Sequence, residues 1–504
     1  MDKKNIKKSL VENSFWSIIT SIVGRGGALI FTIILARFLM PERYGIFSIA
    51  LSVSMFFYIF ADIGINATAV RFISSALAKE RKKAGNYYSY LLKLKLTLAI
   101  TFFLLLIIFA YPLSHYIFKN EKLFFPFLAA AIYILFLSIE VFHSQLFYAI
   151  ENAKLMSLKE SLVQILRIIL IVDIFVFVAS AYQIVSIFIG LTVIHFLTFL
   201  IVLGYFKNHL PEIFHKSKKD INRKNIKNFV KFLTISSISG VFFMNIDAII
   251  LALFLGKGLV NFVGFYKASF SLVIGITTLL AAPNLALLPI FSRINKQDAV
   301  KVYEKILRYI ILLSIPASIG LILMGKHVIR LLFGYEYILA ANSLYILGFT
   351  ILPIVSLSIL LHLYSGKKMP EVFAKLIILA SLCNLVLNFI LISILIKISP
   401  TWAIRGAAIA TVISWIFYFI LALRKFEKDF KTKIPKGPFF SSIFSSTLMF
   451  ITLLFLKQYF QEINLANGIA LIFSGIIIYL LGLLIIGEIK KEDFTILKLI
   501  ANRN

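Results

Sequence analysis

Along the 504 residues, runs of about twenty apolar positions alternate with short polar stretches from one end to the other. Twenty residues of helix cover about 30 Å, the thickness of bilayer hydrocarbon, and a backbone cut off from water satisfies its own hydrogen bonds best as a helix. The pattern predicts an all-α polytopic membrane protein with about fourteen spans. Six fall near 12–39, 45–69, 91–118, 123–149, 160–179 and 182–206. Six more fall near 229–255, 263–290, 306–332, 340–365, 372–396 and 403–424, and a last pair near 439–459 and 465–487. The short alternating segments that a β-barrel needs do not occur in the sequence.

The polar breaks divide the chain into five parts. An N-terminal six-helix bundle (1–206) leads through a basic connector (207–228) to a C-terminal six-helix bundle (229–424). A basic linker (425–438) then precedes two additional helices and a tail (439–504). The two six-span blocks are alike. RFLMPERYGIFSIA (37–50) parallels LFLGKGLVNFVGFYKAS (253–269), with Tyr44-Gly45-Ile46-Phe47 against Val263-Gly264-Phe265-Tyr266. GLTVIHFLTFLIVL (190–203) likewise parallels GAAIATVISWIFYFIL (406–421). Blocks with an even number of spans enter the membrane from the same side, so the expected relation is a parallel pseudo-twofold repeat with a cavity between the halves.

Composition agrees: 60% of residues are hydrophobic, 15% are charged, and the mean hydropathy is +0.94. A formal charge of +29 would suggest a nucleic-acid partner in a soluble protein. Here the basic residues collect in alternate connectors: KERKKAG, KNHLPEIFHKSKKDINRK, SRINKQDAVKVYEK, GKKMP and RKFEKDFKTKIPKG. Roughly 39 of the 52 Lys and Arg fall on one side, which makes that side cytoplasmic and puts both termini there, in a multi-pass protein of the cell membrane. No nucleic acid is expected. The opening MDKKNIKKSL precedes a long apolar stretch without a small-residue cleavage site, so an uncleaved first span is expected.

Catalysis is not expected. No connector exceeds roughly 25 residues, too few for a soluble catalytic or nucleotide-binding domain. GLILMGKH (320–327) imitates a phosphate-binding loop until His327 replaces the hydroxyl residue that would hold magnesium. The single cysteine, Cys383, excludes an internal disulfide or a zinc cluster, and no cofactor is expected.

Four stretches carry a resemblance to a known family. They are ARFLMPERYGIFSIA after the first span, NIDAIILALFLGKGLVNFVGFYKA across spans seven and eight, LLFGYEYILAANSLYIL at 331–347, and SGKKMPEVFAKLIILASLCNLVLNFILI running to WAIRGAAIATVIS at 365–414. In order and spacing the chain resembles the polysaccharide and oligosaccharide flippases, of the same superfamily as the MATE exporters and the lipid II flippases. The resemblance implies two six-helix bundles about a cavity that opens alternately to either side. It implies as substrate an isoprenoid-diphosphate-linked oligosaccharide, moved to the outer leaflet. Fourteen spans rather than twelve look like the lipid-linked-sugar branch, in whose lipid II members the extra pair helps to hold a lipid tail. The expected partners are that substrate, the bilayer and a coupling ion, proton or sodium, and the chain is expected to act as a monomer.

A diphosphate needs fixed cations along its route, and a charge in mid-span costs at least ~2.5–3.5 kcal/mol, so the intramembrane charges are the candidate translocation residues. Arg25, flanked by Gly24, Gly26 and Gly27, reads as a cavity cation or one half of a structural pair. The lipid II flippases also carry a functional arginine in this helix. Asp62 reads as an ion site or a partner of Arg25 or Arg71. Glu140 reads as an ion partner of Arg167 or a proton-coupling group; it shares a face with His143, where no third ligand completes a metal site. Asp247 reads as a hairpin lock with Lys267 or an inter-bundle switch opposite Arg25. Asp173, His195, His362 and Lys375 read as structural or interfacial. The rival readings are a cation-coupled MATE-type exporter, which an acidic cavity would favour, and a membrane glycosyltransferase or polymerase, which needs an outer loop that this chain lacks.

Overall fold

The computed structural model describes residues 3–489 except 216, 218–220, 222, 368, 370 and 461–464. Side chains are described from Phe15 onward, apart from 227, 228, 231–233, 235–237, 285, 286, 288, 289 and 465. The N-terminal lysine cluster, part of the 207–228 connector and the tail from 490 therefore lie outside the described side chains.

Every regular element among the described residues is helical. The first half comprises α1 (Lys3–Asp62), α2 (Ile65–Lys79), α3 (Ala84–Pro112), α4 (Phe124–Ala149), α5 (Ala153–Phe177) and α6 (Gln183–His209). The second comprises α7 (Arg223–Leu255), α8 (Val260–Ala281), the short α9 (Leu287–Arg293), α10 (Lys296–Phe333), the short α11 (Ala341–Leu347), α12 (Ile351–Gly366), α13 (Glu371–Leu395) and α14 (Pro400–Phe430). The last pair is α15 (Gly437–Gln458) and α16 (Leu465–Ile486). Twelve described segments are long and apolar enough to cross a membrane, the first of them the 65-residue stretch Phe15–Lys79.

That first stretch is not one rod. Pro41 lacks an amide hydrogen and pushes its predecessor out of the helical region, so Met40 adopts φ 62° and ψ 163° and α1 kinks into two arms. A second break, at Ile63 (φ 39°) and Gly64 (φ 77°), separates α1 from α2. The expected second span, 45–69, thus ends early as a straight helix, and its continuation runs on to Lys79.

Connectors meet at two ends of the molecule. At the basic end the Asn86 amide donates to the Ser217 carbonyl (3.0 Å), and Lys367 bonds the Ile294 carbonyl. At the opposite end Arg43 donates to Gln183 (3.3 Å), and the Tyr337 hydroxyl donates to the Ala36 carbonyl (2.7 Å), tying the second half to the first. The last two helices lean on α10, where the Tyr479 hydroxyl donates to the Leu312 carbonyl (2.7 Å) and Arg308 bonds Glu488 (2.8 Å).

The repeat is written into the contact between α1 and α8. The register that sets Gly45 on Gly264 also sets Pro41 on Val260. A Cβ on Gly45 would lie 2.2 Å from the Val260 carbonyl oxygen, and one on Gly264 would lie 2.3 Å from that of Pro41. Each glycine therefore packs on the backbone equivalent to the one its twin packs on, as across a twofold axis. This seam closes the opposite end between the two bundles, just beyond Ser48 and Lys267.

Overpacking a site with no free volume forces backbone apart at a cost of about 1–3 kcal/mol. On a Cys383→Ala background, Gly264→Leu is expected to part the seam. Ser48→Cys should then react with a membrane-impermeant maleimide added from the opposite end, while the same cysteine behind an intact seam stays unlabelled from that end. Equal labelling of both would refute the seam as the closure.

Candidate functional site

Two contiguous hollows lie between the bundles. The larger, of about 970 Å³, is walled by α1, α4, α5, α7, α8 and α12 and runs toward the basic end, past Ser17, Ser21, Gln145 and Tyr148. The smaller, of about 250 Å³, reaches up to the glycine seam beside Tyr44, Phe47 and Phe270. Ala28, Thr32, Arg167 and Ser271 line both.

The local sequence explains how Arg25 comes to face this space. Gly24 and Gly27, one helical turn apart, let α5 approach so closely that a Cβ on them would meet Glu160 Cγ at 2.9 Å and Gln164 Cγ at 2.6 Å. Arg25 is turned about 100° from Gly24 and projects toward α8, where its Nη1 lies 3.5 Å from Thr278 Oγ1. Among the described residues no carboxylate comes within ion-pair distance of it. Arg167 stands where the hollows join, over the Phe31 ring (5.7 Å to the centroid), and Lys267 lies at the inner end beside Phe270. His362, expected to be structural or interfacial, lines the larger hollow. Among the described residues three basic side chains, Arg25, Arg167 and Lys267, thus face the cavity against one carboxylate, Glu160.

The other expected site residues are inside the bundles. Glu140 does not pair with Arg167. It is fully buried, bonded to Lys159 Nζ (3.1 Å), to the Ser144 hydroxyl and to His195 Nδ1 (3.1 Å), and His195 Nε2 in turn takes a hydrogen bond from Arg167 (3.2 Å). Lys159 and Arg167 are eight positions apart, about two turns, so both emerge on one face of α5 and the imidazole bridges the remaining gap. His143 stands apart, its ring bonded to the Ile139 carbonyl and the Tyr88 hydroxyl.

Asp62 pairs with neither Arg25 nor Arg71. At the α1–α2 break it accepts from Lys95 Nζ (2.9 Å) and caps α2 through the Asn66 amide (3.3 Å), while Arg71 lies over the Phe229 ring. Lys95 is completely buried. It stands in LLKLKLTL, near the start of the expected third span, and is not among the candidates drawn from the sequence.

Asp247 forms neither of the two expected contacts. It is buried within the second bundle, away from the cavity walls, and no ion pair with Lys267 forms. The neighbours Tyr266 and Lys267 diverge by about 100° on α8. The tyrosine hydroxyl therefore donates to Asp247 Oδ2 (2.6 Å), while the lysine faces the cavity. Thr411 Oγ1 lies 2.9 Å from the same oxygen, and Asn388 Nδ2 donates to Oδ1 (2.5 Å). The Asn384 amide and Asn388 Oδ1 are buried there without a partner. Asn384 and Asn388, spaced i, i+4 on one face of an apolar helix, are a sequence signal that went unread. One carboxylate among neutral oxygens suits a proton or a small hard cation. Among the described residues no group of three His, Cys, Asp or Glu side chains forms a transition-metal site.

Two like helical bundles in a membrane, closed by a symmetric seam at one end around a polar cavity open toward the other, define a transporter. Residues 10–295 match the profile of the polysaccharide biosynthesis protein family, and the chain belongs to that family. It is 24% identical over 518 aligned residues to an uncharacterised membrane protein of Methanocaldococcus jannaschii, covering 97% of this chain and 98% of that one. It is 26% identical over 284 residues to the probable low-salt glycan biosynthesis flippase Agl15 of Haloferax volcanii, covering 54% and 57% of the two chains. Its fold superposes on that of lipid II flippase MurJ in the inward closed conformation with a TM-score of 0.73 and 16% identity, over 94% of this chain and 98% of the other.

Removing one member of a buried ion pair costs about 3–5 kcal/mol, because the other is left charged and unpaired. Asp62→Asn is expected to lower the melting temperature of the purified protein in detergent markedly, and Asp62→Asn with Lys95→Met to recover most of it. A double variant no better than the single one would show that the pair is not what Asp62 contributes.

Proposed function

We propose that this protein is a flippase that carries an isoprenoid-diphosphate-linked oligosaccharide from the cytoplasmic to the outer leaflet of the cell membrane by alternating access. The observation that carries the reading is the cavity: Arg25, Arg167 and Lys267 face it with a single carboxylate opposed. A diphosphate leaving water loses hydration worth many kcal/mol, and fixed guanidinium and ammonium groups in a wet, shielded channel replace it. The tail needs no such provision, since it remains in lipid. Membership of the polysaccharide biosynthesis family and the likeness to proteins named as glycan and lipid II flippases point the same way. A MATE-type cation exporter would need the opposite charge balance in this cavity.

The basic connectors put the open end and both termini in the cytoplasm, where a lipid-linked precursor would enter. Fourteen crossings follow when the kinked Phe15–Lys79 segment counts as two and α5, whose charges keep it off the apolar set, counts as one. In this reading 1–206 and 229–424 are the moving bundles, 207–228 and 425–438 their cytoplasmic links, and 439–504 an accessory pair with its tail. The chain works as a monomer. The Asp247 cage is the site for a coupling ion, proton or sodium, because a lone buried carboxylate with orphaned amides beside it gains most from a bound cation. No covalent step is involved.

The test is a reconstituted flipping assay with a defined polyprenyl-diphosphate oligosaccharide, run with and without proton and sodium gradients. Arg25→Ala should lower the flipping rate at least about tenfold, the loss expected when a charge-assisted contact worth about 1.5–3 kcal/mol disappears, without loss of folding. Asp247→Asn should remove the response to the ion gradient while the cavity still binds substrate. Normal flipping by Arg25→Ala would sink the cationic-cavity mechanism.

A further inference from the structure

The buried chain Arg167–His195–Glu140–Lys159–Glu160 begins and ends at the cavity wall, since both Arg167 and Glu160 line the larger hollow. Its middle is chemically constrained. A guanidinium only donates, so His195 Nε2, 3.2 Å from Arg167, must offer a lone pair. The imidazole is then neutral, and its one hydrogen lies on Nδ1 and is donated to Glu140 Oε2 at 3.1 Å. Arg167 has little else to hold it. Its Nε is buried without a hydrogen bond, and its guanidinium lies over the face of Phe31.

We infer that His195 is a proton-responsive positioning residue that latches the cavity cation Arg167 against the wall. A proton taken from the cavity water by Nε2 turns the acceptor that holds Arg167 into a donor and sets two cations side by side. The guanidinium then swings off the wall and becomes available to an anion. The imidazolium keeps its other hydrogen bond to Glu140, which Lys159 and Ser144 already compensate. By linkage the reverse holds with equal strength: an anion that draws Arg167 away frees Nε2 to take up a proton. The groups that face His195 are Glu140 and the Tyr133 ring from α4, and Arg167 and Lys159 from α5; from α1 the Phe31 ring lies beyond Arg167. The ligand class is a diphosphate ester, so the inference rests on the substrate reading above.

The full-length protein in detergent is titrated with farnesyl diphosphate between pH 8 and 5.5, beside His195→Gln and Arg167→Met. A glutamine amide can accept from Arg167 and donate to Glu140, but it cannot titrate. The affinity of the unmutated protein relative to His195→Gln should rise as pH falls, by up to about tenfold per pH unit, the ceiling for one linked proton. Calorimetry in buffers of different ionisation enthalpy should show proton uptake on binding in excess of that of His195→Gln. The ionisation of the probe itself is common to all three proteins and cancels in the comparison. Arg167→Met should lose both affinity and the excess pH response. Binding with the same pH profile in the unmutated protein and His195→Gln overturns the latch alone. A response that survives in Arg167→Met overturns it too, because the imidazolium would then act on the anion directly. No binding by the unmutated protein at any pH overturns the substrate reading, and the latch with it.

Discussion

A charge inside hydrocarbon must either be matched by its neighbours or face water, and that constraint organises this protein. Within the first bundle Asp62 and Lys95 neutralise each other, as do Glu140 and Lys159. Within the second, Asp247 is held by hydroxyl and amide dipoles alone. Arg25 and Lys267 form no ion pair among the described residues, and both line the space between the bundles, where Arg167 joins them with an imidazole contact. Compensated charges tie helices to one another, and uncompensated ones supply the cavity with its sign.

Backbone punctuation places the charges. Pro41 and the strained Met40 divide α1, so that one arm brings Arg25 to the cavity and the other brings Tyr44, Phe47 and Ser48 to its inner end. Gly24 and Gly27 draw in α5, which carries Glu160, Gln164 and Arg167 on the face turned toward the same space. The cavity is thus a product of where helices are allowed to touch, and its charge follows from which side chains those touches rotate inward.

The sequence alone carried the architecture further than it carried the site. Apolar run length showed an all-helical membrane protein and left a gap between 39 and 45 where α1 kinks, and the Tyr-Gly-Ile-Phe repeat aligned the two glycines that meet. Arg25 stood out because three glycines surround it. Partner choice was not legible, because it depends on helix rotation. Tyr266 and Lys267 are adjacent in sequence yet point to different compartments, so the nearest charge to Asp247 along the chain is not its partner. Lys95 and Lys159 stand near the ends of expected spans, where lysines commonly reach the interface, yet Lys95 is buried and Lys159 nearly so. His195 reads from sequence as structural or interfacial, since its contacts arise only where three helices converge.

The glycine seam has a thermodynamic consequence of its own. It is made of Cα atoms against carbonyl oxygens, with no long side chain to order and no charge to desolvate. Contacts of that kind contribute about 0.5–1 kcal/mol each, far less than an interdigitated aromatic core. The rest of the closure comes from what stands beside the seam, the Tyr337–Ala36 hydrogen bond and the contacts of the Tyr337 ring with Tyr44 and Phe265. The glycines set the register of the gate and the rings its strength, so shape and energy at this end can be altered separately.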